Sequence, residues 1–151
     1  NPCPFGSAGS SPAEATKKII NEYYLYMIRF VTLGTNDLKR SSNFYDEILK
    51  IIDIIRVEEE DDRYVGYAKE KTDKLAYFYI MTPFNKDKAS IGNGTMISFD
   101  AQKPEKVVEI HKKAIELGAT NEGDPGPRHG ENYYAYFRDL DGNKICAFTE
   151  N

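Results

Sequence analysis

Two stretches of the chain repeat one order of apolar and polar positions at a constant offset, without a gap. Phe30-Val31-Thr32-Leu33 falls on Met96-Ile97-Ser98-Phe99, Asn36 on Gln102, Phe44 on Ile110, Tyr45 on His111, and Ile48-Leu49 on Ala114-Ile115. In each copy an apolar strand ends in a polar turn and runs into an amphipathic helix. Leu38, Tyr45, Ile48, Leu49 and Ile52 recur at three- and four-residue steps, which predicts a first helix over Leu38–Lys50 with Asn36 or Asp37 near its cap. Pro104 suits the first position of a second helix, and Gly118 a stop just past Leu117. Val107, Val108, His111, Ala114 and Ile115 are the inner face expected of that helix.

Strand-like runs follow each helix. They are Ile54–Glu58, Arg63–Ala68 and Leu75–Thr82 in the first copy, then a short piece near Ala119, Tyr133–Arg138 and Lys144–Thr149 in the second. Asp141-Gly142 is a hairpin signal between the last two, because such a turn needs positive φ. Each copy therefore reads β-α-β-β-β, and the mostly polar Pro83–Gly94 joins them as an exposed loop. The expected fold class is α+β: two βαβββ modules, about 27–84 and 94–151, forming a curved, cup-shaped mixed sheet with helices on the outside. Residues 1–26 read as a leader or N-terminal extension with a short helix, which starts at the capping box Ser11-Pro12-Ala13-Glu14.

Charge and cysteine content narrow the function. Lys and Arg number 20 against 24 Asp and Glu, so the formal charge of −4 argues against a broad basic footprint for nucleic acid. No apolar run approaches the ~18 residues of a membrane span, and the opening residues lack the basic and apolar stretches of a secretory signal. Cys3 and Cys146 form no CxxC pair and fit a reducing compartment, so a cytoplasmic location is expected. Eleven tyrosines and no tryptophan supply rings that seek burial and hydroxyls that seek partners, the materials of a half-polar lining.

The stretch Val31-Thr32-Leu33-Gly34-Thr35-Asn36-Asp37-Leu38, continued through Phe44-Tyr45 in the helix, resembles the opening of the vicinal oxygen chelate superfamily. That superfamily includes glyoxalase I, bleomycin-resistance proteins, fosfomycin-resistance transferases and extradiol dioxygenases. Tyr133–Arg138 followed by Asp139-Leu140-Asp141-Gly142-Asn143 is similar to its closing signature, and the likeness runs from about Met27 to Phe148. The resemblance implies paired βαβββ modules curved around a pocket, where many members hold a divalent metal on His and Glu. The positions that match those ligands carry Phe30, Met96 and Cys146, and the glyoxalase I glutamate falls near Tyr79. Phe cannot bind a metal and Met is a poor ligand for hard or borderline ions, so neither a metal nor another cofactor is expected.

Alternation along the strands gives the expected lining. Phe30 and Met96 at the old ligand positions place Thr32, Ser98, Cys146, Phe148, Tyr134, Tyr136 and Arg138 on the same face, with Phe137 on the helix side. On the first module's last strand the inward set is Tyr77 and Tyr79, or else Phe78 and Ile80. Arg138 either faces an anionic ligand or pairs with Asp139 or Asp141. His111 reads as a satisfied boundary residue, and Arg128 or His129 as an ordinary loop position or a ligand contact. Cys146 reads as a small buried hydrophobe with a raised pKa.

The first functional reading is a metal-independent binding protein for a small aromatic or amphiphilic organic molecule, with the homodimer typical of bleomycin-resistance proteins. The second is a lyase, isomerase or dioxygenase with a non-standard site, in which Tyr136 or His129 transfers a proton. The third is a scaffold whose cup is filled by its own side chains.

Overall fold

The computed structural model describes residues 28–71 and 75–150; the expected leader helix, with Cys3, lies outside the described residues. The first module runs β1 (Val31–Gly34), α1 (Leu38–Leu49), one 3-10 turn (Lys50–Ile52), β2 (Ile55–Glu60), β3 (Tyr64–Ala68) and β4 (Phe78–Met81). The second runs β5 (Ile97–Asp100), α2 (Pro104–Glu116), β6 (Thr120–Pro127), β7 (Tyr133–Arg138) and β8 (Lys144–Thr149). Both helices start as their sequences dictate. Asp37 accepts a hydrogen bond from the Arg40 amide at 2.9 Å, and Pro104 opens α2.

The two modules repeat one topology. In each, the first strand pairs in parallel with the last, and the remaining neighbours are antiparallel, giving the orders β1-β4-β3-β2 and β5-β8-β7-β6. These are two separate, open four-stranded sheets, which corrects the expectation of a curved, cup-shaped sheet. The reason lies in how the modules meet. β1 pairs only with β4 and β5 only with β8, so no ladder carries one sheet into the other. Contact runs instead through the helix-covered faces. Phe78 meets Phe99 edge-to-face at 5.0 Å, Phe44 of α1 meets Phe137 of β7 at 6.4 Å, and both faces share one hydrophobic core. With one face of each sheet committed to that core, the helix-free faces are directed away from it.

Other differences are local. Val108 and Ile115 are exposed, and the stripe that α2 buries is Val107, Ile110, His111 and Ala114. The short piece near Ala119 is the eight-residue strand β6. Its Gly and Pro residues fit because it is an edge strand, bonded on one side only and broken by two register shifts.

A buried polar clasp fastens the modules together. Asp141, in the β7–β8 hairpin, accepts hydrogen bonds from Thr35 Oγ1 at 2.7 Å, the Asn36 amide at 3.0 Å and Ser41 Oγ, with Arg40 at 3.3 Å. Gly142, at φ +91°, turns the chain there. Asp139 beside it accepts from Tyr45 Oη at 2.7 Å and from the amides of Asp141 and Asn143. The carboxylates of one module thus satisfy the N-terminal turn of α1 in the other.

Candidate functional site

The residues named from the sequence divide between two sheet faces. Phe30, Thr32 and Tyr79 belong to the helix-free face of the first sheet, where Thr32 and Tyr79 are register partners. Phe78 and Ile80 are buried on the helix side, which leaves Tyr77 and Tyr79 for the other face. Met96, Ser98, Cys146, Phe148, Tyr134, Tyr136 and Arg138 fall on the helix-free face of the second sheet, with Ser98, Cys146 and Tyr136 in one row across it.

On the second sheet the rings cover one another. Tyr134 and Tyr136 stack at 6.1 Å, Tyr134 meets Phe148 at 4.8 Å, and the His129 ring stands edge-on to Tyr134 at 5.9 Å. The Arg128 guanidinium and the Lys144 ammonium each lie 5.5 Å from the Tyr136 ring. Arg138 pairs with neither Asp139 nor Asp141. It binds Glu122 at 2.7 Å and the Gly142 carbonyl at 3.0 Å, because β6 brings Glu122 beside it.

Cys146 is 1% exposed, and burial raises its thiol pKa against the opposing hydrogen bond of Ser98. Burial likewise pushes the Tyr136 phenol up. His111 is buried and its Nε2 lies 3.0 Å from Asn121 Oδ1, a satisfied structural histidine.

On the first sheet Tyr79 is central. It donates to Glu58 Oε2 at 2.9 Å, and Tyr64 donates to Glu58 Oε1 at 3.1 Å. Burial and the Glu58 hydrogen bond push the Tyr79 phenol up to about 12.

Of the positions that the resemblance implies for metal ligands, Tyr79 lies on the first sheet with Phe30 just before its β1, and Cys146 lies on the second with Met96 just before its β5. This donor set does not fit a divalent ion. Among the described residues no group of three or more His, Cys, Asp or Glu side chains is placed to hold a metal.

A cavity of ligand size with largely apolar walls lies between the modules. A cleft of about 580 Å³ is lined by Ile28, Val31, Ile54, Tyr67, Ala68, Tyr77 and Phe78 from the first module and by Met96, Ile97, Ser98 and Phe99 from the second, with Lys69 and Glu70 also on its wall. Of the ten residues expected to bind a ligand, Met96 and Ser98 line it. Phe78 is one of the two alternatives that alternation leaves open for the lining, as is Tyr77, whereas Ile97 and Phe99 fall opposite Ser98 and on the helix side. Nothing in alternation shows that two open sheets leave a gap there.

A comparison with curated proteins finds no match. Solved structures match nearly whole. A glyoxalase/bleomycin resistance protein from Albidiferax ferrireducens is 37% identical, with a TM-score of 0.74 over 83% of this chain and 99% of that one. A putative glyoxalase from Bacillus halodurans (19% identical, TM-score 0.67, 85% and 98% covered) and the hypothetical protein SA1046 from S. aureus (22%, 0.61, 85% and 98%) share the fold. The family model described as Glyoxalase/Bleomycin resistance protein/Dioxygenase superfamily matches residues 27–147. With the repeated βαβββ topology and both signatures in place, the chain belongs to the glyoxalase/bleomycin resistance protein/dioxygenase superfamily.

Proposed function

We propose that this chain binds a small aromatic or amphiphilic organic molecule without a metal, in the cleft between its modules. The observation that carries the reading is the cleft itself. Its volume of about 580 Å³ suits a drug-sized molecule. Its aliphatic and aromatic walls reward burial of apolar surface, and Ser98, Lys69 and Glu70 offer a few orienting contacts. The edge-to-face pair Phe78–Phe99 gives a rigid aromatic floor. Tyr136 as a general base is disfavoured by the direction of its shift, since burial holds its proton on.

A homodimer in the cytoplasm belongs to the same proposal. Phe84 and Ile91 lie exposed in the connection between the modules, apolar surface that a second copy would cover. Sedimentation velocity is expected to give a dimer, and Phe84→Asp to dissociate it.

The test of the cleft is saturable binding of 1-anilinonaphthalene-8-sulfonate. Ser98→Trp places a large ring at an exposed position of the cleft wall and is expected to weaken the probe at least about tenfold, whereas Phe84→Ala leaves it unchanged. Equal effects of the two variants, or no saturation, would sink the reading.

A further inference from the structure

The second module borders the cleft with the edge of its first strand. Met96, just before β5, and Ile97, Ser98 and Phe99 within it all line the cavity. Side chains of consecutive strand residues point to opposite faces of a sheet, so only the long side of the strand presents all four in one direction. That side is open, because β5 pairs with β8 alone. The ladder decides which main-chain groups it carries. The Ala101 amide donates to the Phe148 carbonyl at 2.7 Å, and successive residues turn their N–H and C=O to alternate sides of a strand. Ile97 and Phe99 therefore face β8, and Ser98 turns its N–H and C=O toward the open side. Ser98 is exposed, and among the described residues nothing bonds its main chain there.

We propose that the occupant of the cleft is an N-acylated α-amino acid derivative in extended form, paired with the main chain of Ser98. This assignment rests on the cleft being the ligand site, and it names the class of amphiphile. One extended residue supplies what the edge lacks. Its N–H donates to the Ser98 carbonyl while its own carbonyl accepts from the Ser98 N–H, the reciprocal pair of an antiparallel ladder. A lone secondary amide cannot make both bonds, because its N–H and C=O point in opposite directions across the planar trans unit. The acyl chain and the side chain of the ligand then bury apolar surface against walls that include Ile28, Val31 and Phe78. Each bond to an exposed edge replaces a bond to water, so its effect is a several-fold change in affinity.

The probes are N-hexanoyl-L-phenylalanine N-methylamide and its depsi analogue, in which an ester oxygen replaces the acyl N–H, each titrated into the full chain by calorimetry. The amide is expected to bind at least about fivefold more tightly, because the ester loses one donor and turns a lone pair toward the Ser98 carbonyl. Ser98→Pro puts a ring where the open-side N–H stands, a position at which an edge strand tolerates proline, and the ratio should fall to about one. Ser98→Ala keeps the N–H and should keep the ratio. If Ser98→Pro does not fold, the ratio measured on the wild type decides alone. Equal binding of the two compounds to the wild type, or a ratio that survives Ser98→Pro, overturns the proposal. In either case displacement of both compounds by Ser98→Trp still supports the cleft as a site, whereas no saturable binding of either compound or of the sulfonate dye sinks both readings.

Discussion

The two sheets carry the same row of four positions and fill it differently. In the first sheet the row is Thr32, Tyr79, Gly66 and Glu58, on β1, β4, β3 and β2. In the second it is Ser98, Cys146, Tyr136 and Gly123, on β5, β8, β7 and β6. Each row holds one large ring with a glycine on the next strand outward. A Cβ on Gly66 would stand 2.8 Å from the Tyr79 ring, and one on Gly123 would stand 2.9 Å from the Tyr136 ring. The ring has moved by one strand between the copies. That displacement sets the chemistry, because Tyr79 lands beside Glu58 and Tyr136 lands between Arg128 and Lys144. A duplicated scaffold keeps its volume while its polar partners diverge.

The helix starts are unequal too. Asp141 clasps the start of α1, whereas Lys103 gives α2 no side-chain cap. The largest expected effect therefore comes from Asp141→Ala. It strips acceptors from Thr35, Ser41 and the Asn36 amide at a side chain only 4% exposed, for a loss of about 2–4 kcal/mol in chemical denaturation. Burial pushes this carboxyl up, but the bonds from Ser41, Asn36 and Thr35, with Arg40 nearby, hold it below the usual carboxylate range. A depressed folded pKa contributes stability that is complete above the unfolded value, near ~3.9, and is lost as pH falls through the folded one. Wild-type stability should fall below about pH 4, and the variant should lose less over the same window. A variant as acid-sensitive as wild type would show that the clasp does not carry this term.

Next in size is Gly66→Ala. The added methyl meets both the Tyr79 ring and the Ala76 Cβ at 2.7 Å, and Ala76 is wholly buried. Ala76 has no room to retreat and the Tyr79 ring must lift away, so a cost of about 2–3 kcal/mol is expected, with a change in the tyrosine near-ultraviolet circular dichroism.

These rows also show where the sequence was readable. The repeat, both helices, β7 and β8 follow from apolar spacing, and alternation alone sends Phe137 to the helix side. Alternation did not reach the partners. Glu58 joins the row of Tyr79 because the β2–β3 register shifts between Arg56 and Glu58. Glu122 reaches Arg138 from an edge strand whose Gly and Pro residues resemble a loop. The separation of the sheets is decided by packing of α1 and Phe99 across modules, a long-range choice that strand periodicity does not encode. The cleft follows from that choice, so the pairing of Phe78 with Phe99 in its floor was equally hidden.

The smallest effect sharpens the comparison most. Gly123→Ala makes the same kind of contact as Gly66→Ala, a methyl against the side of a tyrosine ring. Its surroundings differ. Gly123 is half-exposed on the edge strand β6, at one of the strand's register shifts, and its other close neighbour within 3.4 Å is the end of the Arg128 side chain. An edge with a shifted register gives way, and a methyl also restrains the unfolded chain, so the two terms offset to within about 1 kcal/mol of zero. What should change instead is the cation contact, because Arg128 and Tyr136 are the atoms that must move. Thermal melts of both glycine variants decide it. A cost at Gly123 as large as at Gly66 would mean that ring placement is equally rigid in both sheets, and that the polar partners diverged without any difference in the scaffold beneath them.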